Sequence, residues 1–233
     1  MNKKRQKLRI DIVTIFPAMC EAYLNESILG RAQKTGLLDL RAHDLRKYSA
    51  DKKHKKVDDS PYGGGPGMVM MIEPFDIAVR DLISRKAKNK TRVILTSASG
   101  KRFTQNDAKR LAKYDQIIFL CGRYEGVDHR VQTELCDEAL SIGDFVLTGG
   151  ELPALAMSDA ISRMIPGVLG KSESLLTESH TKEGYLEYPQ YTKPAVYKTI
   201  SKKTLRVPRV LLSGDHKAIE LWRMKAGKNT GKK

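Results

Sequence analysis

The hydrophobic residues among the first 45 positions predict a strand, a helix and a second strand. Residues 8–15 (LRIDIVTI) are rich in β-branched side chains and partly alternate, which is typical of a strand. Pro17 can occupy the first turn of a helix and Gly36 can end it, so we predict one helix between them. Residues 37–45 (LLDLRAHDL) predict the second strand.

A polar segment then interrupts the regular pattern. Residues 46–60 are mostly polar, and residues 61–68 (PYGGGPGM) contain too much glycine for a helix or a strand. We expect the glycine-rich stretch to form a loop with backbone angles that other residues rarely adopt. Pro74 marks the next helix, whose apolar residues recur at helical spacing as far as Leu82.

A unit of strand, glycine loop and helix then recurs three times. Such a succession predicts an α/β fold in which helices flank a parallel sheet. All three loops follow the carboxyl ends of their strands and should therefore meet at one sheet edge, where open α/β folds bind ligands. The strands are predicted at 92–97, 116–121 and 144–147, the loops at 98–103, 122–126 and 148–151, and the helices at 104–114, 127–135 and 152–165.

The pattern changes after Gly170, which suggests a second domain. We predict a first domain over residues 1–170, a linker over 171–190 and a small, mainly helical C-terminal domain over 191–233. An amphipathic helix should start at Asp215, with Trp222 among its packing residues.

The positive net charge of the chain favours an anionic partner. The 233 residues include 42 Lys and Arg against 27 Asp and Glu, a net charge of +15, clustered near residues 3–7, 52–56, 86–92 and 225–233. Solubility could explain any single cluster, but the whole excess favours nucleic acid. No apolar run approaches a membrane span, no signal peptide is evident, and the three cysteines lack metal or redox spacing. We therefore expect a cytoplasmic protein with no membrane contact.

Several catalytic motifs are absent or incomplete. Residues 167–172 (GVLGKS) have two residues between the glycines, where a phosphate-binding loop needs four. The five histidines show no metal spacing, no G-x-S-x-G elbow exists, and no G-x-G-x-x-G follows the first strand. We expect no metal site and no covalent nucleophile.

The three glycine loops predict a site for a small ligand. Glycines let backbone N–H and C=O groups approach closely, which suits a purine bound through main-chain hydrogen bonds. Without a cation to hold phosphate, the ligand should be a nucleoside lacking a phosphate chain, and S-adenosylmethionine fits that description. The alternative for residues 122–126 (GRYEG) is a tight turn with a surface ion pair.

Six segments together resemble the motifs of bacterial tRNA (guanine-N1)-methyltransferases. They are DDSPYGGGPGM, CGRYEGVDHRV, SIGDFVLTGGELPA, SRMIPGVLG, YPQYTKP and VLLSGDH with a later Trp, and they span residues 58–222. The resemblance implies a homodimer of the SPOUT superfamily with a deep trefoil knot, a feature that is rare among folds. It implies that S-adenosylmethionine is the cofactor of the knotted domain over residues 1–170 and that tRNA is the partner, bound by the small C-terminal domain over 191–233. It also implies that the guanosine immediately 3′ of the anticodon is methylated.

The same resemblance implies which residues bind the cofactor. Glu187 would face its ammonium group. The other implied cofactor-binding residues are Leu95, Thr96, Ser97, Ser99, Gly100, Gly122, Tyr124, Glu125, Gly126, Ser141, Ile142, Gly143, Asp144, Phe145, Val146, Leu147, Gly149, Gly150 and Pro153.

The resemblance also implies a catalytic pair. Arg163 occupies the position of the family's catalytic arginine, although an arginine there could also complete a helix dipole. In the family an aspartate acts as the general base, and this chain has no aspartate at the matching position. Glu178 is therefore our first choice for the base and Glu183 our second. The chain departs from the family pattern at Ser60, Lys193 and Asp215.

Two other functions remain open from the sequence. A SPOUT ribose 2′-O-methyltransferase would share the cofactor loops but methylate a sugar hydroxyl. A non-catalytic RNA-binding protein would share the charge, but would not need three strand-end loops open to a small ligand.

Overall fold

The structure is a computed structural model that describes residues 7–83, 90–170, 178–180 and 184–227. It divides the chain into two compact units, Met1–Gly170 and Lys171–Lys233, which we call the N-terminal and C-terminal units. Among the helices of the described residues, none has the length and hydropathy that crossing a membrane requires.

The N-terminal unit contains seven strands and five α-helices within its described residues. The strands are β1 (Leu8–Thr14), β2 (Leu38–Asp44), β3 (Asp58–Asp59), β4 (Val69–Met70), β5 (Thr91–Arg102), β6 (Gln116–Cys121) and β7 (Glu138–Ser141). The helices are α1 (Pro17–Leu24), α2 (Ser27–Lys34), α3 (Ile72–Leu82), α4 (Gln105–Leu111) and α5 (Glu151–Ser162).

Five strands form a parallel sheet in the order β2-β1-β6-β5-β7. Every residue of the central strand β6 is buried, and its side chains alternate between two hydrophobic clusters. Ile117 and Phe119 pack with α1, α2, α4 and α5 on one face, whereas Ile118 and Leu120 pack with α3 on the other. The predicted parallel sheet flanked by helices is therefore confirmed.

The predicted first helix is wrong in one respect, because the segment forms two helices. The helix is interrupted between Leu24 and Ser27, and Ser27 has a positive φ of 49°. Gly30 of α2 lies so close to the break that a Cβ there would be 2.7 Å from the carbonyl carbon of Asn25. The helical periodicity of the sequence did not reveal this tight packing.

The predicted position of the third repeat's strand, at 144–147, is also wrong. Residues 144–147 (DFVL) form no strand, and the edge strand β7 lies before them, at Glu138–Ser141. Phe145, Val146 and Leu147 are exposed, so these apolar side chains pack neither in the sheet nor in the core.

Two further predicted elements differ from the structure. The expected loop at 98–103 is mostly a bulge inside β5, since both Thr96 and Lys101 pair with Leu140 of β7. The expected helix at 127–135 is a π-helical turn at Val131–Leu135. The glycine-rich loop at 61–68 is confirmed, and four of its glycines have positive φ values between 77° and 125°.

The C-terminal unit combines a hairpin and a helix in its described residues. Strands β8 (Val196–Lys198) and β9 (Thr204–Arg206) pair antiparallel. Helix α6 (His216–Ala226) starts where predicted, because the Asp215 carboxylate accepts hydrogen bonds from the N–H groups of Lys217 and Ala218. The described residues of this unit therefore combine a short hairpin with a longer helix, and the mainly helical domain that we expected stays a prediction.

Candidate functional site

An open cleft of about 330 Å³ lies in the N-terminal unit at the bulge of β5 and at the ends of β6 and β7. This volume is within the range of small-molecule sites. Its walls are the bulge of β5, the loop after β6 and the loop after β7, which we call the first, second and third loops. The lining consists of Leu95, Thr96, Ser97, Ala98, Ser99, Gly122, Arg123, Tyr124, Glu125, Gly126, Val127, Leu140, Ser141, Ile142, Phe145, Val146, Leu147, Thr148, Gly149, Gly150 and Pro153.

Most of the residues that we expected to bind a cofactor lie in this lining, and four do not. Gly100 instead lets the bulge of β5 approach β7, since a Cβ there would be 2.7 Å from the backbone nitrogen of Leu140. Gly143 lies beside the Phe145 ring, and the exposed Asp144 forms an ion pair with Arg102. Glu187 belongs to the C-terminal unit.

The two adjacent glycines allow the third loop to contact the strand ends. A Cβ on Gly150 would overlap the hydroxyl of Thr96 and lie 2.9 Å from the Cα of Cys121. The Gly150 N–H donates a 3.0 Å hydrogen bond to the Gly122 carbonyl, which joins the second and third loops. The φ of Gly150 is −83°, so the position requires space and not a left-handed backbone.

The second loop is also joined to the glycine-rich loop at 61–68. The Glu125 N–H donates to the Met68 carbonyl at 3.1 Å, and the Met70 N–H donates to the Gly126 carbonyl at 3.0 Å. A Cβ on Gly67 would lie 2.7 Å from the Oε1 atom of Glu125. The glycine-rich loop therefore supports one wall of the cleft from outside.

A buried ion pair, which we call the Arg123–Glu151 clamp, fixes the third loop. The Glu151 side chain is 1% exposed and accepts hydrogen bonds from Arg123 Nε at 2.9 Å and from Thr14 Oγ1 at 2.6 Å. Arg123 Nη1 donates to the Thr148 carbonyl at 3.2 Å, and its guanidinium lies 4.8 Å from the centre of the Phe16 ring. The clamp connects the ends of β1 and β6 to the start of α5.

Sequence reasoning missed the role of Arg123, because it considered only a surface ion pair within 122–126. The actual partner is 28 positions away and buried. A usable signal was present, since an Arg two residues after one strand and a Glu directly after Gly150 have opposite charges at the same sheet edge.

The cysteines are protonated at neutral pH. Burial raises the pKa of Cys20 to about 12, and the negative charge of Glu151 raises it further. The same two causes raise the pKa of Cys121 well above its usual value, and burial raises that of Cys136 to about 12. A thiol that stays protonated is a poor nucleophile and a poor metal ligand. Across the described ranges, the His, Cys, Asp and Glu side chains form no group of three or more suited to a metal ion.

The expected catalytic residues lie in different units. Arg163 follows the last residue of α5, and its N–H donates to the Asp159 carbonyl at 3.1 Å. Glu178 and Glu187 belong to the C-terminal unit, where the Glu187 carboxylate accepts a 2.8 Å hydrogen bond from Gln190. Glu183 lies outside the described residues.

Comparisons with known proteins show the family of the chain. The family described as tRNA (Guanine-1)-methyltransferase TrmD matches residues 8–233. A tRNA (guanine-N(1)-)-methyltransferase of Ruminiclostridium cellulolyticum is 51% identical over 217 residues, which are 93% of this chain and 90% of the relative. Proteins of the same name from Bacillus subtilis and Anaeromyxobacter dehalogenans are 49% and 51% identical over 218 residues, covering 86% and 85% of their lengths. The chain therefore belongs to the tRNA (guanine-1)-methyltransferase family.

Proposed function

We propose that this protein transfers a methyl group from S-adenosylmethionine to N1 of the guanosine immediately 3′ of the anticodon in tRNA. The observation that carries the proposal is the cleft of three glycine loops, found in a chain that matches a tRNA (guanine-1)-methyltransferase family over residues 8–233. The net charge of +15 supports an RNA substrate.

The residues of the cleft fit a nucleoside without a phosphate chain. Arg123 is the one Lys, Arg or His side chain in the described lining, and Glu151 already neutralises it. The lining otherwise offers backbone groups, hydroxyls and apolar side chains such as Leu95, Ile142 and Pro153. Such a surface suits an adenine and a ribose and offers little to a triphosphate. Gly149 and Gly150 let the third loop lie directly against Arg123 and Thr96, because a Cβ at either position would overlap those side chains.

Two residues of the chain would carry out the proton and charge chemistry. S-adenosylmethionine, when bound, would supply a methyl group whose bond to the positively charged sulfur breaks on transfer, so that the cofactor leaves as a neutral thioether. The carboxylate of Glu178 takes the N1 proton of guanine as the new bond to carbon forms, and a positioned base is worth about 10²–10⁴-fold in rate. The guanidinium of Arg163 donates to O6, where negative charge develops, and such a donor is worth about 3 kcal/mol. Glu187 would hold the ammonium group of the cofactor.

The knot and the homodimer also belong to this proposal. The chain leaves the sheet at its edge strand β7 and returns to the middle, where Gly150 bonds to Gly122 and α5 packs on α1 and β1. This return path supports the trefoil knot that the family resemblance implies. Exposed apolar side chains on α1 and at the start of α5, including Met19, Tyr23 and Leu152, support a contact with a second copy.

The direct test is the product. Purified protein should be incubated with tRNA and S-adenosylmethionine, and the tRNA then digested and its nucleosides analysed by mass spectrometry. We expect 1-methylguanosine, and only from tRNAs with guanosine after the anticodon. A 2′-O-methylated nucleoside would favour the ribose methyltransferase, and no modified nucleoside would favour a non-catalytic RNA-binding protein. We place the reaction in the cytoplasm, together with its substrate.

A further inference from the structure

The C-terminal unit has a hollow where a small domain normally has a core. Among its described residues, at 178–180 and 184–227, none is fully buried. Its apolar and aromatic side chains instead surround an open hollow of about 340 Å³. We call this the aromatic hollow. It is lined by Tyr188, Pro189, Gln190, Tyr191, Thr192, Lys193, Ala195, Val207, Leu211, Leu212, Ile219, Trp222 and Arg223.

Aromatic rings face one another across the hollow. The Trp222 ring of α6 and the Tyr191 ring have centroids 6.2 Å apart and an interplanar angle of 59°. The Arg223 guanidinium lies 5.0 Å from the centre of the Tyr188 ring. Trp222 is half-buried and Tyr191 is 48% exposed, so both rings keep a face that other groups can contact. These are the side chains on which unpaired bases stack in proteins that bind single-stranded nucleic acid.

The charge around the hollow identifies the class of ligand. Residues 188–227 contain nine Lys and Arg but only two acidic residues, Asp215 and Glu220. Lys193 and Arg223 lie in the lining itself. A polyanion is attracted to such a surface, and an aromatic hollow within it accepts a flat ring. RNA supplies both features, through its phosphates and its unpaired bases.

We propose that the aromatic hollow binds one unpaired base of the substrate tRNA, separate from the guanosine that is methylated. The base stacks on Trp222 and Tyr191, while Lys193 and Arg223 contact neighbouring phosphates. This proposal rests on the proposed function for the identity of the RNA. It adds a second recognition site that depends on an unstacked base and not only on the phosphate backbone.

Fluorescence can test this without any mutation, because Trp222 is the single tryptophan among the 233 residues. The full-length protein should be titrated with the anticodon stem-loop of a substrate tRNA. It should then be titrated with stem-loops that carry one abasic position at a time in the loop. We expect the intact stem-loop to quench the tryptophan emission and one abasic position to remove the quenching. Equal quenching by every abasic stem-loop, or none by the intact RNA, would overturn the proposal.

A matched pair of tyrosines gives a second test. Tyr191 lines the hollow and is 48% exposed, whereas Tyr197 lies on β8 outside the lining and is 53% exposed. We expect Tyr191→Ala to weaken stem-loop binding about 5- to 150-fold, the range for one stacked base. Tyr197→Ala should bind within about twofold of the wild type. Equal losses in both variants, or none in Tyr191→Ala, would contradict the assigned site.

The outcome is distinguishable from failure of the proposed function. Wild-type protein that methylates tRNA without base-dependent quenching would retain the function and lose the hollow as a base site. Base-dependent quenching without methyl transfer would retain the hollow as a base site and contradict the proposed function. Affinity for S-adenosylmethionine, measured by calorimetry, should be the same in both tyrosine variants and shows that the cleft of each is intact.

Discussion

Gly149 and Gly150 are the residues on which the shape of the cleft most depends. A Cβ on Gly149 would lie 2.6 Å from the Cζ atom of Arg123, and one on Gly150 would overlap Thr96. The strand ends, the Arg123–Glu151 clamp and the third loop meet at this point. Neither neighbour can move freely, because one is a strand residue and the other is held by a buried carboxylate.

Replacing Gly150 should therefore impair ligand binding. We expect Gly150→Ala to lower the affinity for S-adenosylmethionine at least tenfold, because the added methyl group displaces the third loop. Isothermal titration calorimetry measures this affinity. Gly170→Ala is the matched control, since a Cβ at Gly170 meets nothing within 4 Å. Wild-type affinity in Gly150→Ala would show that the close contact is unimportant.

The clamp should contribute to stability as well as to binding. Glu151→Ala leaves the Arg123 guanidinium without its buried counter-ion, and breaking such a pair costs about 3–5 kcal/mol. We expect that loss in the free energy of unfolding, measured in urea, together with weaker binding of S-adenosylmethionine. Asp76→Ala breaks the exposed ion pair with Arg80 and should change little. Equal stability of the two variants would mean that the clamp is dispensable.

Substitution of the proposed catalytic residues should slow methyl transfer without changing the affinity for S-adenosylmethionine. We expect Arg163→Ala and Glu178→Gln to bind S-adenosylmethionine normally but to lose about 10²-fold or more in kcat. Single-turnover methylation of tRNA measures the chemical step, and Glu183→Gln is the control for the base. Full activity of Glu178→Gln together with an inactive Glu183→Gln would move the base to position 183.

Among the elements, α4 shows how local sequence fixes a helix start. Thr104 and Asp107 form a reciprocal capping box, as their spacing suggested. Burial alone would raise the pKa of Asp107, but hydrogen bonds from Lys101, Thr104 and Arg110 outweigh it and lower the pKa to about 2. The folded state therefore favours the ionised carboxylate.

This shift predicts an acid-sensitive helix cap. Asp107 ionises in the folded protein at a lower pH than in the unfolded chain, so its contribution is complete above about pH 4 and is lost as the pH falls towards 2. The shift corresponds to about 2 kcal/mol. Urea unfolding from pH 6 to pH 2 should show this loss in the wild type and a smaller one in Asp107→Asn. Identical pH dependence would contradict the assignment.

Elements with local signals were predictable, and elements defined by distant contacts were not. The strand β6, the glycine-rich loop and the start of α6 were predicted from runs of apolar residues, glycines and a capping Asp. The segment 144–147 has the composition of a strand, but its apolar residues Phe145, Val146 and Leu147 line the cleft with exposed side chains. The sequence pattern alone does not distinguish apolar side chains that contact a ligand or a partner from apolar side chains that pack in a core.

For the molecule as a whole, net charge should govern tRNA binding but not cofactor binding. Because the chain has a net charge of +15, the logarithm of the tRNA affinity should fall linearly with the logarithm of the salt concentration, and the affinity should drop about 10³-fold or more between 50 and 200 mM. The cleft has one cation in its described lining, which Glu151 neutralises, so affinity for S-adenosylmethionine should hardly change. Filter binding and calorimetry over the same salt series test the contrast. Parallel salt dependence of both ligands would contradict it.

The path of the whole chain was the least accessible to sequence reasoning. Repeats and strand ends predicted that three loops meet at one edge, because that follows from parallel strands alone. The clamp joins residues 28 positions apart, and Thr14 reaches Glu151 across 137 positions. Pairings of this kind have no local pattern. The proposed knot comes from the family resemblance, since physical rules disfavour threaded chains.

Amide hydrogen exchange tests the central claim most directly, that the backbone of the three loops holds S-adenosylmethionine. The full-length protein should be compared with and without saturating S-adenosylmethionine, at peptide resolution. We predict slower exchange in residues 95–99, 122–126 and 141–150, and unchanged exchange in the hairpin of β8 and β9. Unchanged exchange in all three loops under saturating ligand would contradict the account.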